Sequence, residues 1–252
     1  MARSRAPDYA GKQKSILHQA ATLFARFGYV GTSISMIAEA CGASKALLYH
    51  YYPDKEAILF DILHGHLETL ITAVEEASTG GEAEDRLYSI SAALLDCYRD
   101  AYAEHHIHVA SLKLLPPGKQ ETLRGMERKL VGVFAEAISA AVPGIGQGPL
   151  LKPLTMSLFG MLNWHYLWFR EGGALSRDDY ARLASALITA GGAHATEALS
   201  SAAGEVLAGT APAWRAAATL NARKRPPLAR LRQKPPRFSN SGEKTRPRRE
   251  EI

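Results

Sequence analysis

The sequence predicts an all-α protein, on three observations. Apolar residues recur at helical spacing through one stretch after another. Glycines and prolines punctuate those stretches at helical lengths. No alternating run long enough for a useful strand interrupts them, and alanine and leucine far outnumber the β-branched residues.

The elements follow in order. Residues 12–27 form a first helix with Ile16, Ala20, Leu23, Phe24 and Phe27 on one face, and Gly28 is the left-handed residue past its end. Thr32-Ser33 caps a short second helix whose apolar stripe is Ile34, Ile37, Ala38 and Cys41, and Gly42 stops it. Ser44 caps a third helix, Lys45 to Tyr52, which Pro53 ends. Asp54 caps a fourth that reaches about Ala77, followed by the linker Ser78-Thr79-Gly80-Gly81. The next pattern runs from Glu84 to about Leu115 through Leu87, Ile90, Leu94, Tyr98, Ala101 and Tyr102, with a kink expected near His105-His106. Pro116-Pro117-Gly118 breaks the chain before Lys119 to Val142, which carries Leu123, Met126, Leu130, Val133, Phe134, Ala137 and Ile138. Past Pro143-Gly144-Ile145-Gly146, Leu150 to Arg170 and Ser176 to about Ala203 form a last pair, joined by Glu171-Gly172-Gly173.

The formal charge of +5 is unevenly placed. Residues 222–252 hold eleven lysines and arginines against three acids, a local charge of +8, which leaves residues 1–221 at −3. Overall basicity therefore argues nothing about nucleic acid; local structure has to. The basic segment interleaves prolines at 226, 227, 235, 236 and 247 with almost nothing to bury. It is expected to be disordered, with a capacity to attract phosphates through counterion release. Cys41 and Cys97 are too few and too distant for a disulfide framework, and MARSRAPDYAGKQKSIL lacks the apolar core of a signal peptide. The longest apolar stretch, Leu154 to Phe169, contains Asn163 and His165 and falls short of the roughly 20 residues of a span. A cytoplasmic protein without a membrane segment is the expectation.

The chemistry concentrates between Ser33 and Tyr52. Two short helices joined by Gly42-Ala43 have the size of a helix-turn-helix, in which the first helix braces the second and the second enters a major groove. Leu48 and Tyr52, at i and i+4, can lock the second to a core, leaving Lys45, Ala46, Leu47 and Tyr49 outside. Tyr49, His50, Tyr51 and Tyr52 cannot all face inward on one helix. The N–H groups starting the second and fourth helices, with Thr32, Ser33 and Lys55 beside them, suit phosphate oxygens.

Ile16-Leu17, Ala20-Ala21, Leu23-Phe24, Gly28-Tyr29, Thr32-Ser33-Ile34, Ile37-Ala38, Ala40-Cys41-Gly42-Ala43-Ser44-Lys45, Leu48-Tyr49, Tyr52 and Lys55-Glu56 stand in one register. On them, residues 12–63 resemble the N-terminal signature of the TetR/AcrR family of bacterial transcriptional regulators. The resemblance implies a homodimer on a palindromic operator in double-stranded DNA. It implies a head at residues 1–63, an effector-binding and dimerisation domain at 64–203, and a tail at 204–252. Carried over by position, Ser33 and Ser35 meet phosphate or base edges, and Ser44 caps the reading helix. Lys45, Ala46 and Leu47 read bases, Tyr49, His50 and Tyr51 mostly contact the DNA backbone, and Lys55 holds a phosphate.

Residues 30–180 also resemble, more narrowly, TetR-type repressors of phenylacetate catabolism that respond to phenylacetyl-coenzyme A. The likeness rests on Cys41 to Tyr52, Lys113-Leu114-Leu115, Gly125-Met126-Glu127-Arg128, Leu151 to Met156, Leu158 to Trp164, Trp168 and Gly173 to Ser176 with Asp178-Asp179. A thioester effector needs an apolar slot and cations for its phosphates. Tyr98, Tyr102, Phe134, Phe159, Asn163, Trp164 and Trp168 are candidates for the slot, and Lys113, Arg124, Arg128 and Lys129 for the cations. Two other readings stay open: Trp164 and Trp168 in a dimer interface, and the charges of 119–129 as a solvated face. A sensor of lipophilic cations is the alternative within the family, and a helical protein-interaction module the alternative outside it.

His105 and His108 sit at i and i+3 in Glu104-His105-His106-Ile107-His108, but no fourth ligand lies at close spacing, so no metal centre is expected. No GxSxG, P-loop, HExxH or strand-borne GxGxxG is present, so neither catalysis nor a cofactor is expected.

Overall fold

The computed structural model describes residues 6–207, and every regular element among them is helical. The order is α1 (Ala6–Gly31), α2 (Ile34–Ala40), α3 (Lys45–Tyr51), α4 (Lys55–Ala77), α5 (Ala83–Asp100), α6 (Tyr102–Ser111), a 3-10 turn (Leu112–Leu114), α7 (Pro117–Ala141), α8 (Leu151–Trp168) and α9 (Arg177–Leu207). The basic segment expected to be disordered lies outside the described residues.

The caps read from the sequence are made. Ser33, Ser44 and Asp54 have extended backbones, and their side chains accept from the N–H groups of Met36, Leu47 and Ala57. Each satisfies one orphan donor of a helix start, a contribution of about 1 kcal/mol. Pro117 stands at the first position of α7, where its missing N–H removes nothing. Gly28 takes φ +73° inside α1 and turns the chain toward α2, so Phe27, expected on the buried face, is 46% exposed.

The expected kink near His105-His106 falls instead at Ala101, which leaves the helical region at φ −125° and ψ 36°. The consequence is local. Tyr102, placed by periodicity on the apolar face of one continuous helix, lies past the break and is exposed, whereas His105 and Ile107 are buried.

Two apolar cores result. The first joins Ile16, Ala20 and Phe24 of α1, Ile37 of α2, Leu48 and Tyr52, and Ile58, Leu59, Ile62, Leu63 and Leu67 of α4. It is completed by Ile107, Leu115 and Leu123, contributed from α6, the connection after it and α7. The second joins Leu70, Ile71 and Val74 of α4 with α5, α7, α8 and the first half of α9, centred on Leu94, Phe134, Leu158 and Ala184. Burying each Leu, Ile or Phe contributes about 1.5–3 kcal/mol. Helix α4 is a wall of both.

Among the described residues, α4 rather than the stretch around α8 is the helix long and apolar enough to cross a membrane. Nine of its side chains are buried against neighbouring helices, which accounts for that composition. Polar ties reinforce the joint between the two cores. Lys119 of α7 pairs with Glu56 of α4 at 2.8 Å and lies over the Phe60 ring, and His18 of α1 approaches Glu104 of α6 at 3.9 Å.

Candidate nucleic-acid interface and effector cavity

The turn between α2 and α3 is a Schellman closure. The Ala43 N–H donates to the Ala38 carbonyl at 2.9 Å and the Gly42 N–H to Glu39 at 3.0 Å, with Gly42 at φ +58°. A side chain there would be strained, so the glycine serves the angle at which α3 leaves α2. Leu48 and Tyr52 are buried as the i, i+4 spacing requires, and Gln13 of α1 donates to the Tyr52 hydroxyl at 3.1 Å. Burial pushes that phenol well above its ordinary range.

With its inner face locked, α3 displays the other. Lys45, Ala46 and His50 are exposed, Tyr49 is 51% exposed, and Leu47 and Tyr51 are half-buried. Tyr51 stacks on Tyr9 of α1 with ring centroids 4.5 Å apart, and His50 meets the same ring edge-on. Ser33, Ser35 and Ser44 are exposed beside α3.

Two residues expected to contact phosphate make contacts within the chain instead. Thr32 is buried, and its hydroxyl donates to the carbonyls of Gly28 and Leu23 at 2.9 and 3.2 Å, because the turn at Gly28 folds it under α1. The Lys55 ammonium is turned onto the carbonyls of Tyr29 and Thr32 at 2.7 and 2.8 Å and lies over the Tyr29 ring. Both residues pin the α1–α2 connection to the start of α4 instead of presenting their heads to solvent.

The body holds a cavity of about 240 Å³ between α4, α5, α6, α7 and α8. Leu67, Leu70, Leu130, Val131, Met156 and Phe159 make it apolar, and Tyr98, Asn163, His105, His108 and Glu127 give it polar points. The Tyr98 hydroxyl donates to Asn163 Oδ1 at 2.7 Å, and Glu127 lies 2.9 Å from His108 Nε2. Of the expected slot residues, Tyr98, Phe159 and Asn163 line this cavity, and Phe134 packs behind Phe159 at 4.8 Å. Trp164 and Trp168 are exposed, at 57% and 52%, because they point away from the cavity-facing side of α8 defined by Phe159 and Asn163. Tyr102 is exposed past the Ala101 break.

None of the expected cations lines it. Arg124 bonds Gln120, Arg128 pairs with Glu121 and Lys129 with Glu75, all on the outer face of α7, and Lys113 is exposed. A second hollow of about 310 Å³ shares Val131 and Met156 with the cavity and carries Lys152 at its edge. Sequence reasoning did not place Lys152 beside a hollow, and it did not place His105, His108 and Glu127 on the cavity wall. Next to them His66 is buried on the apolar stripe of α4 beside Leu63, Leu67 and Leu70, an irregularity visible in the sequence. Burial, aided by neighbouring imidazoles, holds His66 down to about 3 and His105 to about 4, so both are neutral at pH 7.

A braced recognition helix, joined by one unbroken helix to a body with an apolar cavity, defines a helix-turn-helix transcriptional regulator. Residues 16–62 match the family described as bacterial regulatory proteins, tetR family, and residues 80–191 match the tetracyclin repressor-like C-terminal domain. The chain is 32% identical to a TetR-family transcriptional regulator from Bordetella parapertussis over 70% of this chain and 93% of that one, with a TM-score of 0.66. The chain belongs to the TetR family. It is 27% identical to the transcriptional repressor KstR2 of Rhodococcus jostii over 69% of this chain and 87% of that protein. The structure of AibR in complex with isovaleryl coenzyme A and operator DNA is similar at 26% identity, covering 71% of this chain and 98% of that one, with a TM-score of 0.63. Another curated regulator is matched over only 77 residues, so the chain spans about a quarter of that relative, 26% of its length.

Lys55→Met should lower the free energy of unfolding by about 1–3 kcal/mol, since two buried-side carbonyls lose their donor. Urea denaturation checks this. Unchanged stability, with the salt slope of DNA binding reduced by about one, would restore the phosphate role.

Proposed function

We propose that this chain is a ligand-responsive repressor that binds a palindromic operator as a homodimer and is released by an acyl-coenzyme A thioester. The observation that carries the reading is the cavity on α4, since the same helix starts in the head at Lys55 and is buried there from Ile58 to Leu67. In this reading Lys45, Ala46 and Leu47 meet base edges, while Ser33, Ser35, Ser44, Tyr49 and His50 meet the DNA backbone. Tyr51 acts mainly through its stack on Tyr9. Two copies place their α3 helices one helical turn apart, roughly 34 Å, on successive major-groove faces. The protein is expected in the bacterial cytosol, associated with the nucleoid. The repressor sense follows KstR2, which is a repressor.

The dimer face in this reading is the outer side of α8 and α9. Trp164, Leu167 and Trp168 on one helix and Leu183 and Leu187 on the other are all exposed, each set at i, i+3 or i+4 spacing. Apolar surface of that kind marks an interaction site.

For the effector, the first cavity suits an acyl group, with the Asn163 amide placed for a thioester carbonyl. The adjoining hollow suits the pantetheine arm, and Lys152 suits a phosphate. Similarity to AibR, solved with isovaleryl coenzyme A, supports the class. The phenylacetyl thioester is the member that the sequence resemblance favours. A lipophilic-cation sensor has one observation for it, the inward Glu127, but that carboxylate is already held by His108.

Fluorescence anisotropy with the DNA upstream of the chain's own gene should show salt-sensitive, sequence-selective binding. Lys45→Ala should cost cognate DNA about 1–3 kcal/mol and random DNA much less. Phenylacetyl-coenzyme A should release the complex where free phenylacetate does not, and Lys152→Ala should raise the half-release concentration several-fold. Equal losses on cognate and random DNA refute the base-reading role, release by a lipophilic cation alone favours the other sensor, and no selective binding leaves an interaction module. Light scattering on Leu187→Glu should report a monomer; an intact dimer would move the interface elsewhere.

A further inference from the structure

Two polar points of the cavity wall, His105 and His108, meet a third histidine that does not line it. His66 of α4 meets His105 and His108 of α6, with ring centroids 5.8 and 6.0 Å away. One ring nitrogen from each of the three lies within 4.8 Å of the others. His66 and His105 are buried, and His66 Nε2 and His105 Nδ1 have no hydrogen-bond partner. Unpaired polar atoms are costly to bury, and two of them occur on neighbouring rings.

We propose that His66, His105 and His108 bind a borderline divalent transition-metal ion, of which zinc(II) is the cellular candidate. Three imidazoles on a metal at about 2.1 Å have their nitrogens about 3.4 Å apart, so each ring nitrogen moves inward by no more than about 0.8 Å. The surroundings prepare the rings. His105 donates its Nε2 proton to the Asn163 carbonyl at 3.2 Å, which leaves the lone pair on the unpartnered Nδ1. Glu127 holds His108 at 2.9 Å and brings a carboxylate to the edge of the cluster. Imidazole nitrogen is the donor type that zinc, cobalt and nickel share, and it excludes magnesium and calcium, which demand oxygen. His105 and His108 line the cavity, so the fourth coordination position opens toward it and water completes the site.

The ligand missing from the His105–His108 spacing is thus supplied by a different helix. An ion there bonds α4 to α6, the helix that packs against α1 of the head, and fastens the joint through which the head is carried.

The test uses the full chain freed of metal by chelator dialysis, titrated with cobalt(II) and with zinc(II), without DNA or effector. Its outcome is therefore separate from the regulator reading. Cobalt should develop visible d–d absorption of tetrahedral intensity that saturates near one equivalent per chain. Zinc should displace it and raise the thermal unfolding midpoint by several degrees. His66→Ala and His108→Ala should each weaken cobalt binding about 100-fold, whereas His106→Ala, adjacent in sequence but outside the cluster, should bind as the parent does. Circular dichroism of the metal-free variants separates lost ligation from lost folding, and His108, the least buried of the three, gives the safest variant. Absence of the cobalt spectrum in the parent chain overturns the proposal, as does a spectrum that survives both substitutions.

Discussion

Helix α4 runs without interruption from the core around the helix-turn-helix into the core of the body. Its first half is buried among α1, α2 and α3, its second half among α5, α7 and α8, and no break separates them. A helix of 23 residues is stiff along its axis, so a displacement of the body half is felt at Lys55. Lys55 in turn holds the carbonyls of Tyr29 and Thr32, directly before α2. The connection from cavity wall to the start of α2 is therefore a short series of packed and hydrogen-bonded groups.

That arrangement places the functional demands in different physical regimes. The proposed DNA contact needs exposed side chains on a fixed scaffold, and α3 suits it by burying Leu48 and Tyr52 while displaying Lys45 and Tyr49. Ligand response, in the proposed mechanism, needs differential affinity for two placements of α4 and α6. The cavity can supply this because its walls belong to both helices, and because polar groups, two of them on α6, interrupt its apolar lining. Head and body share Leu115 and Leu123 in one core, so neither can shift without repacking the other.

Legibility in the sequence followed the range of the interaction. Caps and turns are local, and Ser33, Gly42, Ser44 and Asp54 act within a few residues of themselves, so the helix-turn-helix could be read directly. Lys55 could not, since its partners lie 26 and 23 residues upstream and are backbone carbonyls, which no composition reveals. Periodicity placed Tyr102 on a buried face because it assumes an unbroken helix, and nothing in Arg99-Asp100-Ala101 announces a break. Trp164 and Trp168 were ambiguous for the opposite reason: an aromatic at helical spacing serves core, pocket or interface equally well, and only the direction of α8 decides. Cavity polarity was invisible because it is assembled from four helices.

Head and body are expected to form one cooperative structure through α4 and α7. Native-state hydrogen exchange on Leu123→Ala tests it most directly, because Leu123 belongs to the body helix α7 yet is buried in the head core. The amides of α2 and α3 should lose protection together with those of α7, by about 2–5 kcal/mol in opening free energy. Loss confined to α7, with α2 and α3 as protected as in the parent chain, would show that the head stands independently and would contradict it.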